Sequence, residues 1–271
     1  MGMDHKEGER MTLQDQTLFD VIEKEQIAIE RLRVFEPKDG YYLAFSGGKD
    51  SITIKHLANL AGVKYDAHYS VTTIDPPELV QYIREHHSDV SWNKPPKHLT
   101  SYMIDQGFPP TRIIRWCCKR YKEQGGSGRL VVTGIRWAES VRRKNRRKMT
   151  EHCMRDKSRT FLNVIIDWQD VDVWEFIHKY KLPYCRLYDE GFTRLGCVMC
   201  PMGGKDQVAM QSQRWPKIAE KWKRAFKRLW EKREASGKPF DKWGSWQEMY
   251  DWWILGEAVS NDDPDQEVLF E

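Results

Sequence analysis

Apolar residues along this chain fall into short dense runs separated by longer amphipathic stretches, and that alternation predicts the fold. Leu18, Ile22, Ile29 and Leu32 recur at helical spacing in a charged background, so residues 13–34 read as an amphipathic helix ended by Pro37 and Gly40. Tyr41 to Phe45 is a strand-length apolar run, a helix-compatible segment follows to about Leu60, and Tyr65 to Val71 forms a second strand, completing a βαβ unit. Pro76 and Pro77 can open a helix through Leu79, Val80 and Ile83, because proline is tolerated in a first turn. His98 to Glu123 is helix-rich, Gly125 to Gly128 breaks the chain, and Leu130 to Ile135 reads as a buried parallel strand. A strand over 161–166 and a helix over 171–180, beginning near Asp170, complete this part.

From Pro216 the pattern is helical, with Ala219, Trp222, Phe226, Leu229 and Trp230 on one stripe, a break at Gly237-Lys238-Pro239, and a further helix from Trp246 to Leu255. Trp243, Trp246, Trp252 and Trp253 read as the core of this appendage rather than as base-stacking platforms. The expected architecture is α/β: a doubly wound, mostly parallel sheet flanked by helices, with a helical C-terminal appendage and a ligand at the carboxyl ends of the strands. The expected divisions are an N-terminal helix in 1–40, an α/β domain in 41–204, and a helical region in 205–271 that ends in the acidic Asp262-Asp263-Pro264-Asp265.

Composition narrows the classes. The 271 residues carry 44 Lys and Arg against 40 Asp and Glu, so the net charge of +4 does not by itself mark a nucleic-acid binder. No run of about eighteen apolar residues exists and Met1 to Glu9 lacks the apolar core of a signal peptide, so a cytoplasmic protein without membrane partners is expected. Six cysteines in that setting argue for reduced thiols that pack or bind metal.

Ser46-Gly47-Gly48-Lys49-Asp50-Ser51 lies between a buried strand and a helix. Two glycines allow a phosphate to approach the backbone, the helix N-terminus supplies positive dipoles, and Ser46, Lys49 and Ser51 add donors. The spacing differs from the Walker A loop. Cys117-Cys118 and Cys197-Val198-Met199-Cys200 form two close thiol pairs. Adjacent cysteines suit separate corners of a [4Fe-4S] cluster better than one zinc ion. No His pair has metal spacing, and His68 and His178 read as packing or surface residues.

The hexapeptide resembles the PP-loop signature Ser-Gly-Gly-x-Asp-Ser of ATP pyrophosphatases and of the adenylyl-sulfate and phosphoadenylyl-sulfate (PAPS) reductase family. Arg115 to Arg120 resembles that family's Cys-Cys segment, and Tyr188 to Cys200 its Gly-Cys-x-x-Cys segment. Thr133 to Ser140 is similar to its Gly-x-Arg-x-x-Glu-Ser motif, and Asp167-Trp168, Val173 to Ile177 and Leu182-Pro183-Tyr184 to the stretch before the second cysteine pair. The matches cover about 41–200 in family order. The resemblance implies an adenine nucleotide alpha hydrolase-like fold and a nucleotide site of Ser46, Gly47, Gly48, Lys49, Asp50, Ser51, Thr73, Gly134, Arg136, Glu139, Ser140, Arg142 and Arg143. It assigns catalysis to Lys49, Asp50 and Arg136, and cluster ligation to Cys117, Cys118, Cys197 and Cys200.

Several roles stay open at this level. Asp50 is either a hydrogen-bonding partner that fixes the loop or a ligand to Mg²⁺. Thr73 and Asp75 either line the nucleotide pocket or cap a helix. The basic run 142–148 is either a loop that orders over a small ligand or a grip on a nucleic-acid backbone. Sulfonucleotide reductases attack sulfur with a cysteine on a C-terminal segment, and no cysteine occurs in 201–271. The leading expectation is therefore ATP-pyrophosphatase-type activation for sulfur transfer, with a sulfur donor or thiol carrier protein as partner. The alternatives are a sulfonucleotide reductase using Cys153, Cys185 or a partner's cysteine, and a non-catalytic nucleotide or nucleic-acid binding module.

Overall fold

The computed structural model describes residues 13–16, 21–154 and 156–255. In chain order the elements are β1 (Gln14–Gln16), β2 (Val21–Glu23), α1 (Lys24–Val34), β3 (Tyr41–Phe45), α2 (Lys49–Ala61), β4 (Tyr65–Ser70), α3 (Pro77–His86) and β5 (Ser91–Asn93). They continue with α4 (Leu99–Gln106), α5 (Trp116–Tyr121), β6 (Leu130–Thr133), α6 (Val141–Arg146), β7 (Thr150–His152), β8 (Thr160–Asn163), α7 (Asp170–Lys179), α8 (Lys205–Arg214), α9 (Pro216–Ala235) and α10 (Trp246–Leu255). Two compact units result, one of Met1–Val71, Pro77–Lys94 and Gln124–Gly196, the other of Thr72–Pro76, Pro95–Glu123 and Cys197–Glu271. Both cysteine pairs group with the C-terminal helices, so this division cuts across the sequential one at residue 204.

The first unit holds a six-stranded sheet in the order β5-β4-β3-β6-β8-β7. Every pairing is parallel except β7 with β8. Leu43 stands beside Ala67 on one side and Val132 on the other, and Val132 beside Leu162; all four are essentially solvent-free. Strands covered on both faces need such continuous apolar runs, which is why β3 and β6 were conspicuous in the sequence. The chain leaves β3 toward β4 and β5, then returns to place β6 on the other flank of β3. The strand order therefore reverses between β3 and β6, and a crevice opens beyond their carboxyl ends.

Three expectations change. The N-terminal helix begins at Lys24, because Gln14–Gln16 and Val21–Glu23 pair as an antiparallel hairpin and Leu13 O accepts the Lys24 amide; Leu18 lies outside the described residues. The strand expected over 161–166 ends at Asn163, where the Ile166 amide turns back to the Asn163 carbonyl and Trp168 to Ile165. β5, β7 and α8 were not anticipated: the two strands are three residues long, and α8 buries only Val208 and Gln211. In the second unit, Trp243 stacks near Trp252 at 4.8 Å and Trp222 near Trp253 at 4.7 Å, so these rings form a core.

A buried polar network supports the helices beneath the crevice. Lys55 Nζ donates to His87 Nδ1 at 3.2 Å and to Asp89 at 2.7 Å. Since an ammonium only donates, Nε2 of His87 carries the proton and donates to Tyr82 Oη at 2.8 Å, whose hydroxyl donates onward to Pro183 O. Burial first, then the Lys55 charge, lowers the His87 pKa to about 4. The unfolded chain takes up this proton near pH 6.5 and the folded chain resists it, so stability from this site is present above about 6.5 and is lost as pH falls toward 4. Urea unfolding of His87→Gln is expected to show a shallower loss of stability across that window than the parent; equal slopes would contradict the network.

Candidate functional site

The loop after β3 occupies the crevice at the strand-order reversal. Gly47 adopts φ +73°, and a Cβ there would meet Ile83 and Leu79 side-chain carbons at 2.7 to 2.8 Å, so neither the conformation nor the space admits a side chain. Gly48 then caps α2 in an extended conformation without a side-chain cap. The first-turn amides of α2 point toward the loop mouth, where anions are favoured. Ser51 Oγ donates to Gly48 O at 2.8 Å, and the Lys49 amide donates to Tyr188 Oη at 2.9 Å, so the turn is braced from both sides. Burial raises the Tyr188 pKa, keeping this phenol neutral.

The residues following β6 lock onto that loop. A Cβ on Gly134 would approach Asp50 Cβ to 2.9 Å, so the glycine lets β6 run directly against the start of α2. Arg136, only 2% exposed, donates Nε to Asp50 Oδ1 at 2.7 Å, one terminal nitrogen to Asp170 Oδ1 at 2.8 Å and the other to Trp168 O at 3.4 Å. Lys49 Nζ reaches the same Asp170 oxygen at 3.1 Å and Thr193 O at 3.2 Å. Partial burial pushes the Asp170 carboxyl up, but Lys49 and Arg136 outweigh it, and its pKa lies below the usual carboxylate range. Ser46, Lys49, Asp50, Ser51, Gly134 and Arg136 are thus assembled in one place. In this arrangement the Arg136 fork is occupied by Asp50, Asp170 and the Trp168 carbonyl.

Other expected site residues have local duties. Glu139 accepts the Arg136 amide at 2.9 Å and pairs with Arg143, while Ser140 caps α6 by accepting the Arg143 amide at 3.2 Å. Arg142 is exposed on α6. Within the basic run, Arg147 pairs with Glu151 at 2.7 Å and the Asn163 side chain holds Lys148 O at 2.7 Å, tying the run to the sheet edge. His68 stacks on Tyr42 at 4.2 Å and His178 on Trp174 at 5.9 Å, both packing roles. Asp170 and Tyr188 were missed as site residues. Asp170 reads in sequence only as a helix start, and Tyr188 is separated from the loop by more than a hundred residues.

The second unit gathers Cys117, Cys118, Cys197 and Cys200 around one largely apolar cavity of about 30 Å³. The 197–200 turn is pinned: Val198 donates to Ile74 O at 2.9 Å and accepts from Trp222 Nε1 at 3.3 Å, and the Met199 amide, at φ +59°, donates to Gln211 Oε1 at 2.6 Å. The Cys117 thiol donates to Cys118, which with Arg115 at 3.4 Å lowers the Cys118 pKa against the opposing effect of burial. Burial raises Cys197 to about 11 although Lys122 opposes it. Among the described residues no group of three or more His, Cys, Asp or Glu closes on a point that would hold a single metal ion. In this unit Thr73 Oγ1 accepts the Leu99 amide at 2.9 Å and Asp75 accepts the Thr72 amide at 2.9 Å, both turn-capping contacts.

Residues 40–203 match the phosphoadenosine phosphosulfate reductase domain. Two uncharacterised proteins of Methanocaldococcus jannaschii are each 28% identical, covering 74% and 76% of this chain but 51% and 45% of their own lengths. The chain thus spans about half the length of these curated relatives. An adenosine 5'-phosphosulfate reductase of Bacillus cereus is 26% identical over 193 residues, 66% of this chain and 81% of its own. Among solved structures, a phosphoadenylyl-sulfate reductase from Candida auris in a phosphate complex aligns with a TM-score of 0.49 at 15% identity, over 69% of this chain and 98% of that one. No described helix is long and apolar enough to cross a membrane. Because the matched domain spans more than half of the 271 residues and takes in both the 46–51 loop and the four cavity-lining cysteines, the chain belongs to the phosphoadenosine phosphosulfate reductase domain family.

Proposed function

We propose that this chain is an adenine-nucleotide enzyme of sulfur metabolism that binds ATP on the Ser46–Ser51 loop, adenylylates an acceptor and so prepares it for sulfur transfer. The observation that carries the reading is Lys49: its buried ammonium, on the residue that follows the glycine pair, is held by the largely exposed Asp170 carboxylate and by Thr193 O, contacts it can exchange for a phosphate oxygen. An acceptor oxygen bonds to the α-phosphorus, the α–β bridging bond breaks, and the electron pair leaves with pyrophosphate. Lys49 and the α2 amides stabilise the charge that develops there. A sulfur nucleophile, from a donor or thiol carrier protein, then displaces AMP from the activated acceptor. Asp50 gives Oδ1 to Arg136 and keeps Oδ2 without a partner among the described residues, the kind of donor Mg²⁺ takes. Arg142 and Arg143 are the candidates for contacting the nucleotide's anionic end, and the 142–148 run for contacting a nucleic-acid acceptor.

The cysteine cavity fits an iron–sulfur cluster better than zinc. A zinc ion needs its thiolates within about 2.3 Å of one point, whereas a [4Fe-4S] core takes one thiolate per iron corner. The donor set is four thiols, and the Thr72 hydroxyl on the cavity wall stands by as a hydrogen-bond partner for the Cys197 sulfur. Such a cluster, ligated by all four cysteines, supplies rigidity and a local charge rather than transferable sulfide. Cys117, Cys118, Cys197 and Cys200 would hold it, with Arg115 and Lys122 offsetting their negative charge.

Sulfonucleotide reduction is the second reading, favoured by the relatives named adenosine 5'-phosphosulfate reductases. It needs an accessible thiolate. Cys185 is 1% exposed and burial raises its pKa, and Cys153 is half-buried after β7.

Anaerobically reconstituted protein is expected to release pyrophosphate from ATP, with Lys49→Ala slowing turnover by about 10²-fold or more and Gly47→Ala losing nucleotide binding; thiol-dependent sulfite release from adenylyl sulfate without pyrophosphate release would replace this reading by the second. Reconstituted protein should carry about four irons per chain and broad visible absorbance, both lost in Cys117→Ala. One zinc per chain instead would refute the cluster.

A further inference from the structure

Helix α9 carries a concentration of positive charge separate from the basic run 142–148. Its twenty residues hold eight lysines and arginines against three glutamates, a balance of +5, while the whole chain is only +4. The remaining residues are therefore slightly acidic in sum, and α9 is one of two basic concentrations, the other being the 142–148 run. Lys217, Lys221, Arg224 and Arg228 recur at i, i+4, i+7 and i+11, which confines them to an arc of about 60° at 3.6 residues per turn. All four are exposed. None forms a salt bridge among the described residues; Arg224 reaches only the Glu220 carbonyl at 3.4 Å. By contrast, Lys227 pairs with Glu231 and Lys232 with Asp105 off this line, both at 3.9 Å.

We propose that this stripe is a docking surface for a nucleic-acid backbone. Four like charges stacked along one helix face repel one another, and only a polyanion repeating along the same direction neutralises all of them together. The stripe runs about 16 Å at 1.5 Å per residue, over which one duplex strand presents about five phosphates at 3.4 Å each. A lipid surface does not fit. A membrane-surface helix buries its apolar face in the bilayer, and here Trp222, Phe226, Leu229 and Trp230 are spent on the protein's own core. An acidic protein partner fits less well, because the stripe has none of the exposed aromatic anchors that make such interfaces. The inference does not depend on the nucleotide chemistry of the 46–51 loop.

The test is fluorescence anisotropy of the full chain with labelled 20-nucleotide RNA and DNA, single- and double-stranded, over a range of salt. The variant Lys217→Gln/Lys221→Gln/Arg224→Gln/Arg228→Gln keeps good helix formers at exposed positions and is checked by circular dichroism. It is expected to bind at least about tenfold more weakly, with a log–log salt slope shallower by about 3. Lys38→Gln/Lys64→Gln/Lys94→Gln/Lys157→Gln, exposed lysines elsewhere that remove the same charge, should bind like the parent. Equal losses in both quadruple variants would overturn the site, as would unchanged binding in the α9 variant with loss in Arg142→Gln/Lys144→Gln/Arg146→Gln. Equally tight binding to phosphatidylserine vesicles or to polyglutamate would overturn the choice of partner.

Discussion

The candidate nucleotide site depends on one buried guanidinium. Arg136 is nearly solvent-free, and a charge in that position is tolerable only when paired and hydrogen-bonded. Its fork supplies both: Asp50 at the start of α2, Asp170 at the start of α7, and the Trp168 carbonyl before α7 all converge on it. The segments around Asp50, Arg136 and 168–170, distant in sequence, are thereby fixed in one geometry. Arginine suits this role because its planar, always-charged fork holds several acceptors at once, which a lysine ammonium does not.

That constraint explains the remaining geometry of the site. With Asp50 held by Arg136, the first turn of α2 cannot rotate, and the Gly47 turn is pressed against Leu79 and Ile83 of α3. Asp170 serves two cations, Arg136 and Lys49; its own side chain is largely exposed, whereas Lys49 is buried and needs an anion in its place when the two part. A loop braced in this way presents its amides to an anion before the anion arrives, which reduces the ordering cost of binding. The cysteine cavity in the other unit follows the same logic, its 197–200 turn held by Ile74, Gln211 and Trp222.

Much of this was legible in the residues. The apolar runs of β3, β4 and β6 announce a parallel sheet, because strands buried on both faces require them, and the Ser46–Ser51 turn is visible wherever such a run meets a glycine pair before a helix. The hairpin before α1 was not legible: helical spacing of apolar residues does not exclude strand pairing when the segment is short. The commitment of Arg136 to Asp50 and Asp170 was equally invisible. An arginine in a motif looks the same whether it grips a ligand or a carboxylate 34 positions away, and only the fold brings Asp170 to it. Tyr188 was hidden for the same reason, its hydroxyl meeting the Lys49 amide across 139 positions.

The most direct test of this account is a double-mutant cycle on ATP affinity, measured by calorimetry for Arg136→Met, Asp50→Asn and the pair. If Arg136 acts by holding Asp50 and the loop, each single change weakens binding and the double change is little worse than the poorer single one, a coupling of about 0.5–3 kcal/mol. Losses that simply add would mean that Arg136 and Asp50 contribute independently, and the claim that this ion pair shapes the site would be contradicted.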